Sequence, residues 1–162
     1  RPTDIYATCA SGTAMIGGTF DTTNRTELVV LPRADFEKEC QTRGDAGQGL
    51  IALDSYHDGR QRWFAGLFEH GIGKSRPLLG AVERDFRNTD SDLYEAGWRA
   101  IAFCTSHEGG PPIFHAVWRP GTYQTWLVLE PDWSHLVSRI TYNWDQHRQV
   151  VAIDAWSAGA AD

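Results

Sequence analysis

The chain has 162 residues, of which 12% are aromatic and 22% are charged, and its formal net charge is −6. A chain of this length suits one domain that buries about 68–70% of its unfolded surface, so we expect no cofactor and no metal. The negative charge, with lysine only at Lys38 and Lys74, argues against a nucleic-acid partner. No apolar run approaches about 18 residues, which argues against a membrane-spanning helix.

The predicted elements begin with a hairpin. Two extended runs, 5–10 and 14–20, flank a Ser11-Gly12 turn. A third extended run covers 27–31. Pro32 then suits a first helical turn and Gly44 a helix end. The predicted order is therefore β-β-β-α.

The same order returns twice along the chain. The predicted strands are 50–56, 63–68, 77–80, 100–106, 113–118 and 125–130, with helices over about 83–96 and from Pro131. In the last helix an apolar stripe at helical spacing predicts a buried Trp133. The stripe is Trp133, Leu136, Val137, Ile140 and Trp144. A last run, 149–156, has the pattern of a first strand without its hairpin partner.

Residues 28–71 align with 78–121 without a gap, and eleven of these positions are identical. Identities at one constant offset within a chain indicate internal duplication. In the first copy they are Leu28, Asp35, Phe36, Ala46, Gly47, Ile51, Ala52, His57, Gly59, Phe64 and Gly71. We therefore predict an α+β fold of about three β-β-β-α repeats, each of roughly 50 residues, forming a curved antiparallel sheet with helices packed on one face.

The predicted repeats cover 1–46, 47–96 and 97–146 of a single domain, followed by a terminal strand at 147–157. In this arrangement 50–56, 100–106 and 150–156 are equivalent strands. Ile51, Ile101 and Val151 alternate with the polar positions, so they are expected to be buried in equivalent environments.

The third repeat carries Gly97-Trp98-Arg99, Gly109-Gly110, and Phe114 to Trp118 followed by Gly121. This pattern resembles a tandem-repeat domain of bacteria that is also seen as the N-terminal region of fungal secreted polyglycine hydrolases. The resemblance covers about three-quarters of the chain. It implies a repeat scaffold beside, or related to, a secreted hydrolase, located extracellularly or in the cell envelope.

The catalysis of those hydrolases is assigned to a separate β-lactamase-like domain with a Ser-x-x-Lys motif. This chain contains no Ser-x-x-Lys. The resemblance therefore supplies no catalytic residues here.

His57 and His107 occupy equivalent turn positions, each followed by an acidic residue and a glycine. Such turns offer imidazole and carboxylate groups for acid–base chemistry or for a metal. The same residue types also suit a turn that has no chemistry, and this is the interpretation we favour.

Asp54, Cys104 and Asp154 share one repeat position. We interpret Cys104 as a small buried residue and the two carboxylates as hydrogen-bond partners of neighbouring turns. With Cys9 and Cys40 the chain has three cysteines, and this odd count leaves their pairing open.

Seven tryptophans are available for packing or for flat binding platforms. Most are expected to pack between units. Trp126 alternates with Glu130, and Trp156 ends the last predicted strand, so both are expected near the surface, together with Trp63 and Tyr56. The candidate ligand-binding residues are Tyr56, His57, His107, Trp126 and Trp156.

The leading hypothesis is a non-catalytic repeat module that binds an extended peptide or glycan, or that acts as a scaffold beside a hydrolase domain of the same or another chain. A second hypothesis is a small hydrolase that uses the turn histidines with carboxylates. A third is an oligomerising unit in which strand 149–156 adds to a sheet edge of another chain.

Overall fold

The computed structural model describes residues 2–10, 13–20, 26–107, 110–125, 129, 132–146 and 154. In these residues the protein is α+β, with three helices and three small antiparallel sheets. The strands are β1 (Pro2–Ala10), β2 (Thr13–Phe20), β3 (Thr26–Pro32), β4 (Gln48–His57), β5 (Arg62–His70), β6 (Arg76–Ala81), β7 (Trp98–Ser106) and β8 (Ile113–Pro120). The helices are α1 (Arg33–Asp45), α2 (Glu83–Glu95) and α3 (Trp133–Asp145). The predicted hairpin is confirmed, because β1 pairs with β2 in antiparallel register.

The described strands form three sheets, in the orders β1-β2, β3-β5-β4 and β6-β8-β7. Each three-stranded sheet combines the strand before a helix with the two strands after it. The prediction of one curved sheet is wrong: β4 contacts both β1 and β7 but pairs with neither. Side chains occupy these junctions instead of a backbone ladder, as Ile5 of β1 does where it packs on Ala52 of β4.

Local signals place the helix ends. The carboxylate of Asp132 accepts a hydrogen bond from the backbone N–H of His135 at 3.0 Å, which caps the start of α3. Gly47 and Gly97 follow the ends of α1 and α2 with φ of +79° and +82°. Left-handed backbone favours glycine after a helix. Gly97 follows α2 as the sequence predicted, whereas α1 continues one residue past the predicted end at Gly44, to Asp45.

Aromatic side chains of the central strands cover the inner faces of α1 and α2. Phe36 of α1 is fully buried, with ring centroids 5.8 Å from Phe64 and 6.1 Å from Phe68 of β5. Gly66 lies between these two positions, and a Cβ there would stand 2.6 Å from the Phe36 ring. The absence of a side chain at Gly66 lets the helix approach the sheet closely.

The second helix repeats this contact in the third sheet. Phe86 of α2 stacks on Phe114 of β8 with centroids 5.0 Å apart, and lies 5.8 Å from Trp118. The indole N–H of Trp118 donates to the carboxylate of Asp90 on the same helix at 2.7 Å. A ring contact and one hydrogen bond therefore fix α2 on its strand.

One hydrophobic cluster joins the second and third sheets. It places Phe36, Leu50 and Leu53 in contact with Leu79, Ala102, Cys104 and Val117. Burial of apolar area on this scale is the dominant stabilising term in a fold of this size. No helix in the described part of the chain is long and apolar enough to cross a membrane.

Ile51 and Ile101 are half-buried, not buried as the simple alternation predicts. The pairing of β4 with β5 shifts between Leu50 and Ala52, and that of β7 with β8 shifts between Ala100 and Ala102. Each isoleucine therefore lies in an irregularity of its strand, which breaks the two-residue alternation. Val151 lies outside the described residues.

Candidate binding surface

Asp58 organises the turn between β4 and β5. Its Oδ1 accepts hydrogen bonds from the backbone N–H groups of Arg60 and Gln61, at 2.8 and 2.9 Å. Its Oδ2 accepts one from the indole N–H of Trp63 at 2.7 Å. These donors, led by the Gln61 N–H and the Trp63 indole, lower the pKa of Asp58 to about 2. The carboxylate therefore stays ionised and supports the turn.

The two turn histidines are exposed, His57 at the end of β4 and His107 directly after β7. The Nδ1 atom of His57 accepts a hydrogen bond from the backbone N–H of Gly59 at 3.0 Å, which supports the turn interpretation. Residues 108 and 109, beside His107, lie outside the described residues. In the described part of the chain, no cluster of three or more His, Cys, Asp or Glu is arranged to hold a metal ion.

Tyr56 is buried, with 9% of its surface exposed, so the prediction that it lies near the surface is wrong. It pairs across the hairpin with Trp63, and the two rings stack with centroids 6.5 Å apart and an interplanar angle of 10°. Trp63 is half-buried, and its indole N–H is bound to Asp58. The cross-strand neighbour therefore covers the tyrosine, which strand alternation alone does not reveal.

Trp126 and Trp156, the other two predicted platforms, lie outside the described residues, so their exposure stays a prediction. Trp133 is described, and the prediction that it is buried is wrong, because 68% of its surface is exposed. Trp144, at the far end of the same helix, is also 68% exposed. No residue of α3 is buried.

We call Trp133, Leu136, Val137, Ile140 and Trp144 the α3 stripe. Leu136 and Ile140 are half-buried, and the other three members are exposed. The two charged residues of α3, Arg139 and Asp145, lie off this stripe by helical spacing. The stripe is therefore an uncharged apolar surface with a tryptophan at each end.

Ser106 and His115 form a buried pair that the sequence did not single out. The Nε2 atom of His115 lies 3.0 Å from the hydroxyl oxygen of Ser106, and its Nδ1 accepts a hydrogen bond from the backbone N–H of Gly80 at 2.9 Å. Burial, and then the charges of Arg62 and Arg33, lower the pKa of His115 to about 3. The neutral ring therefore carries its proton on Nε2 and donates to the serine.

This tautomer is the wrong one for a nucleophilic serine. A catalytic histidine accepts the serine proton on Nε2 while a carboxylate holds its Nδ1–H. Here a backbone N–H occupies Nδ1, and Ser106 is 7% and His115 1% exposed. The pair is a structural element of β7 and β8. Its only trace in the sequence is one histidine within the apolar run 113–118 of β8.

The carboxylates of Asp54 and Asp154, at the position they share with Cys104, each accept hydrogen bonds from a strand earlier in the chain. Asp54 accepts a hydrogen bond from the backbone N–H of Ala7 in β1 at 2.5 Å. Asp154 accepts from the backbone N–H and, at 2.6 Å, from the hydroxyl of Thr105 in β7. These carboxylates bind neighbouring strands, so the expectation of a structural role is met, although the partners are strands and not turns.

Cys104 is buried, Cys40 is half-buried, and both thiols are free. Burial raises the pKa of Cys104 well above its usual value, and the nearby Asp54 and Asp154 carboxylates raise it further. Burial, followed by Glu39, raises the pKa of Cys40 to about 12. Neither of these two cysteines is in a disulfide, and both thiols stay protonated, so neither has the character of a nucleophile.

Comparison of the chain with protein-family models, characterised proteins and solved structures finds no significant match. The resemblance to the bacterial tandem-repeat domain therefore stays a prediction. Among the surfaces described above, the α3 stripe is the one that is apolar, uncharged and largely exposed.

Proposed function

We propose that the protein is a non-catalytic recognition and scaffold module of a secreted or cell-envelope protein, built from units of about 50 residues. Three helices of 13 residues that begin at 33, 83 and 133 support this organisation. The second and third sheets also share one strand order and the same position of a pairing irregularity. Units of this kind stack and present an extended surface for a ligand.

Equivalent contacts within the second and third units, and between neighbouring units, also support the proposal. Gly71 donates its backbone N–H to the carbonyl of Gly47 at 3.1 Å, and Gly121 donates to the carbonyl of Gly97 at 3.0 Å. Side chains at the shared position of Asp54 lie at the junctions of neighbouring units. Each unit thus contacts chiefly its neighbours, as in other repeat scaffolds.

The polar groups favour binding over catalysis. Asp58 and His57 hold a turn, the Ser106 and His115 pair has the wrong tautomer for a hydrolase, and the raised pKa values of Cys40 and Cys104 keep both thiols protonated. A general base needs to reach its substrate proton within hydrogen-bond distance, and a buried imidazole whose nitrogens are occupied does not.

The observation that carries a recognition function is the exposure of Trp133 and Trp144 on one short helix, each to 68%. Exposed apolar surface concentrated in one place marks an interaction site in a soluble protein. Tryptophan also dominates the energy of binding surfaces, because it buries a large rigid area at low entropic cost. An extended peptide or glycan is the ligand class proposed.

The test is a survey of the whole chain on peptide and glycan arrays, with each retained ligand recovered and weighed by mass spectrometry. We expect ligands to be retained intact. Cleaved products that disappear in His57→Ala or His107→Ala variants support the hydrolase hypothesis instead. Such a result refutes the proposed function, whatever surface the ligand uses.

A further inference from the structure

The contacts of α1 and α2 show what covers the inner face of a helix in this protein. In both, the helix places a phenylalanine, Phe36 or Phe86, against two aromatic rings of the adjacent central strand. Those rings are four residues apart, and a small residue lies midway between them. The pairs are Phe64 and Phe68 around Gly66 in β5, and Phe114 and Trp118 around Ala116 in β8.

Leu136 has the same place in α3 that Phe36 has in α1 and Phe86 has in α2, since each is the fourth residue of its helix. Phe36 is 0% and Phe86 is 1% exposed, whereas α3 buries no residue. Among the described residues, α3 is therefore the helix whose inner face lacks the covering strand that the other two have.

The absence of charge on the α3 stripe also favours an apolar strand as its ligand. The strand residues that touch α1, Phe64, Gly66 and Phe68, carry no charge, and the α3 stripe carries none either. An apolar strand placed on the stripe leaves no unpaired charge buried, which is the costly defect in such contacts. A glycan presents apolar C–H faces to a tryptophan, but the hydroxyls around each sugar ring prevent it from meeting this condition over the whole stripe.

We propose that the α3 stripe binds an extended peptide segment that presents two phenylalanine side chains four residues apart, with a small residue midway. This deepens the proposed function and rests on it, because it names the ligand class and the surface. The first phenylalanine contacts Leu136, in the way that Phe64 contacts Phe36. The second lies against Ile140, and Trp133 and Trp144 cover the ends of the segment.

Position 140 sets the preference for the second aromatic residue. In α2 the same helical position is Asp90, whose carboxylate accepts the indole N–H of Trp118 at 2.7 Å. In α1 it is Cys40, and the strand carries Phe68. Ile140 has no acceptor, so a tryptophan over it leaves its N–H without a partner. Phenylalanine is therefore preferred at that position.

The probe is a synthetic capped peptide, RWFAGLFEH, that copies Arg62–His70 of β5 and carries a fluorescent label for anisotropy titrations with the whole chain. Its control has serine in place of both phenylalanines. We expect saturable binding of the first peptide, and binding weaker by about tenfold or more for the control, because two buried rings are lost. Binding should also shift the emission of the exposed tryptophans to shorter wavelength.

Leu136→Glu places a charge on the stripe at a half-buried position and should weaken peptide binding by about tenfold or more. The matched control is Leu28→Glu, an equal change at a residue that is 49% exposed on β3. The control should bind as the unchanged protein does. Circular dichroism and thermal melting of both variants check that the fold is kept. Equal affinities of the two variants refute the assignment to α3.

The most specific test changes residue 140 so that the protein prefers tryptophan over phenylalanine in the bound peptide. A third peptide carries tryptophan in place of the second phenylalanine, and the unchanged protein should bind it about three- to tenfold more weakly, the value of one unmade hydrogen bond. In Ile140→Asp, which copies Asp90, the tryptophan peptide should become the tighter ligand. Non-specific apolar adhesion predicts no such reversal.

Two outcomes overturn the proposal: no saturable binding at millimolar peptide, or a preference that Ile140→Asp leaves unchanged. If the arrays then retain another ligand intact, the recognition function stands and only its placement on α3 is refuted. If the arrays show turnover, the proposed function itself is refuted.

Discussion

The helices α2 and α3 have the same length but opposite surroundings. In α2 seven of 13 residues are charged, yet Phe86 and Leu93 are buried. In α3 only Arg139 and Asp145 are charged, yet no residue is buried. Burial therefore depends less on the apolar content of a helix than on the strand that packs beneath it. Within the described part of the chain, no strand covers the more apolar of the two helices.

The largest expected difference between the two helices is in their contribution to stability. Phe86→Ala removes a ring that stacks 5.0 Å from Phe114, and should lower the free energy of unfolding by about 3–5 kcal/mol. Leu136→Ala, at the same place in α3, should lower it by less than about 1 kcal/mol. Urea denaturation measures both. Equal losses contradict the proposal that the inner face of α3 is not covered as that of α2 is.

The free energy of unfolding should also depend on pH, because of the buried His115. Its pKa is about 3 in the folded protein and about 6.5 when unfolded. Between these values the unfolded state binds more protons, so the free energy of unfolding falls as pH falls below about 6.5. The loss between pH 7 and pH 5 has an upper bound of about 2 kcal/mol.

Denaturation at several pH values checks this dependence. His115→Gln should flatten the curve between pH 7 and pH 5, even if its stability at pH 7 is lower. His57→Ala, at an exposed turn, is the matched control and should retain the slope. The carboxylate of Asp58, with its pKa of about 2, adds a loss in the same direction only below about pH 4. An unchanged slope in His115→Gln disproves the attribution to this histidine.

The smallest effect is expected on the exposed side of α3. The sequence stripe predicts a loss of about 3–5 kcal/mol for Trp133→Ala, as for a buried ring. With 68% of the side chain exposed, the expected loss is below about 1 kcal/mol. Thermal melting of Trp133→Ala and Trp144→Ala measures it. A drop as large as that of Phe86→Ala shows that the stripe is covered in solution.

The sequence predicted the local elements well. Glycines after the helices, Pro32 before α1 and the spacing of apolar residues gave the order of strands and helices, because these signals act within a few residues. The sequence did not predict that strands separate into three sheets. The sequence pattern of an apolar strand is the same whether the neighbouring strand joins it through backbone hydrogen bonds or only contacts it through side chains.

The candidate site was less predictable for the same reason. The α3 stripe was recognised, but its pattern is that of a buried face and says nothing about whether a partner strand is present. Tyr56 was misplaced because its cover, Trp63, comes from the paired strand. His115 was missed because Gly80, which fixes its tautomer, lies 35 residues earlier in the chain.

The carboxylate of Asp54 also bears on how the protein forms during synthesis. It binds the backbone of Ala7, 47 residues earlier, and Asp154 binds Thr105 across 49 residues. A loop of this size costs only slightly more entropy to close than a loop half as long. The outer strand of a hairpin can therefore be bound as soon as the next hairpin has left the ribosome. We expect the chain to fold progressively from its N-terminal side, without a single late step that joins distant ends.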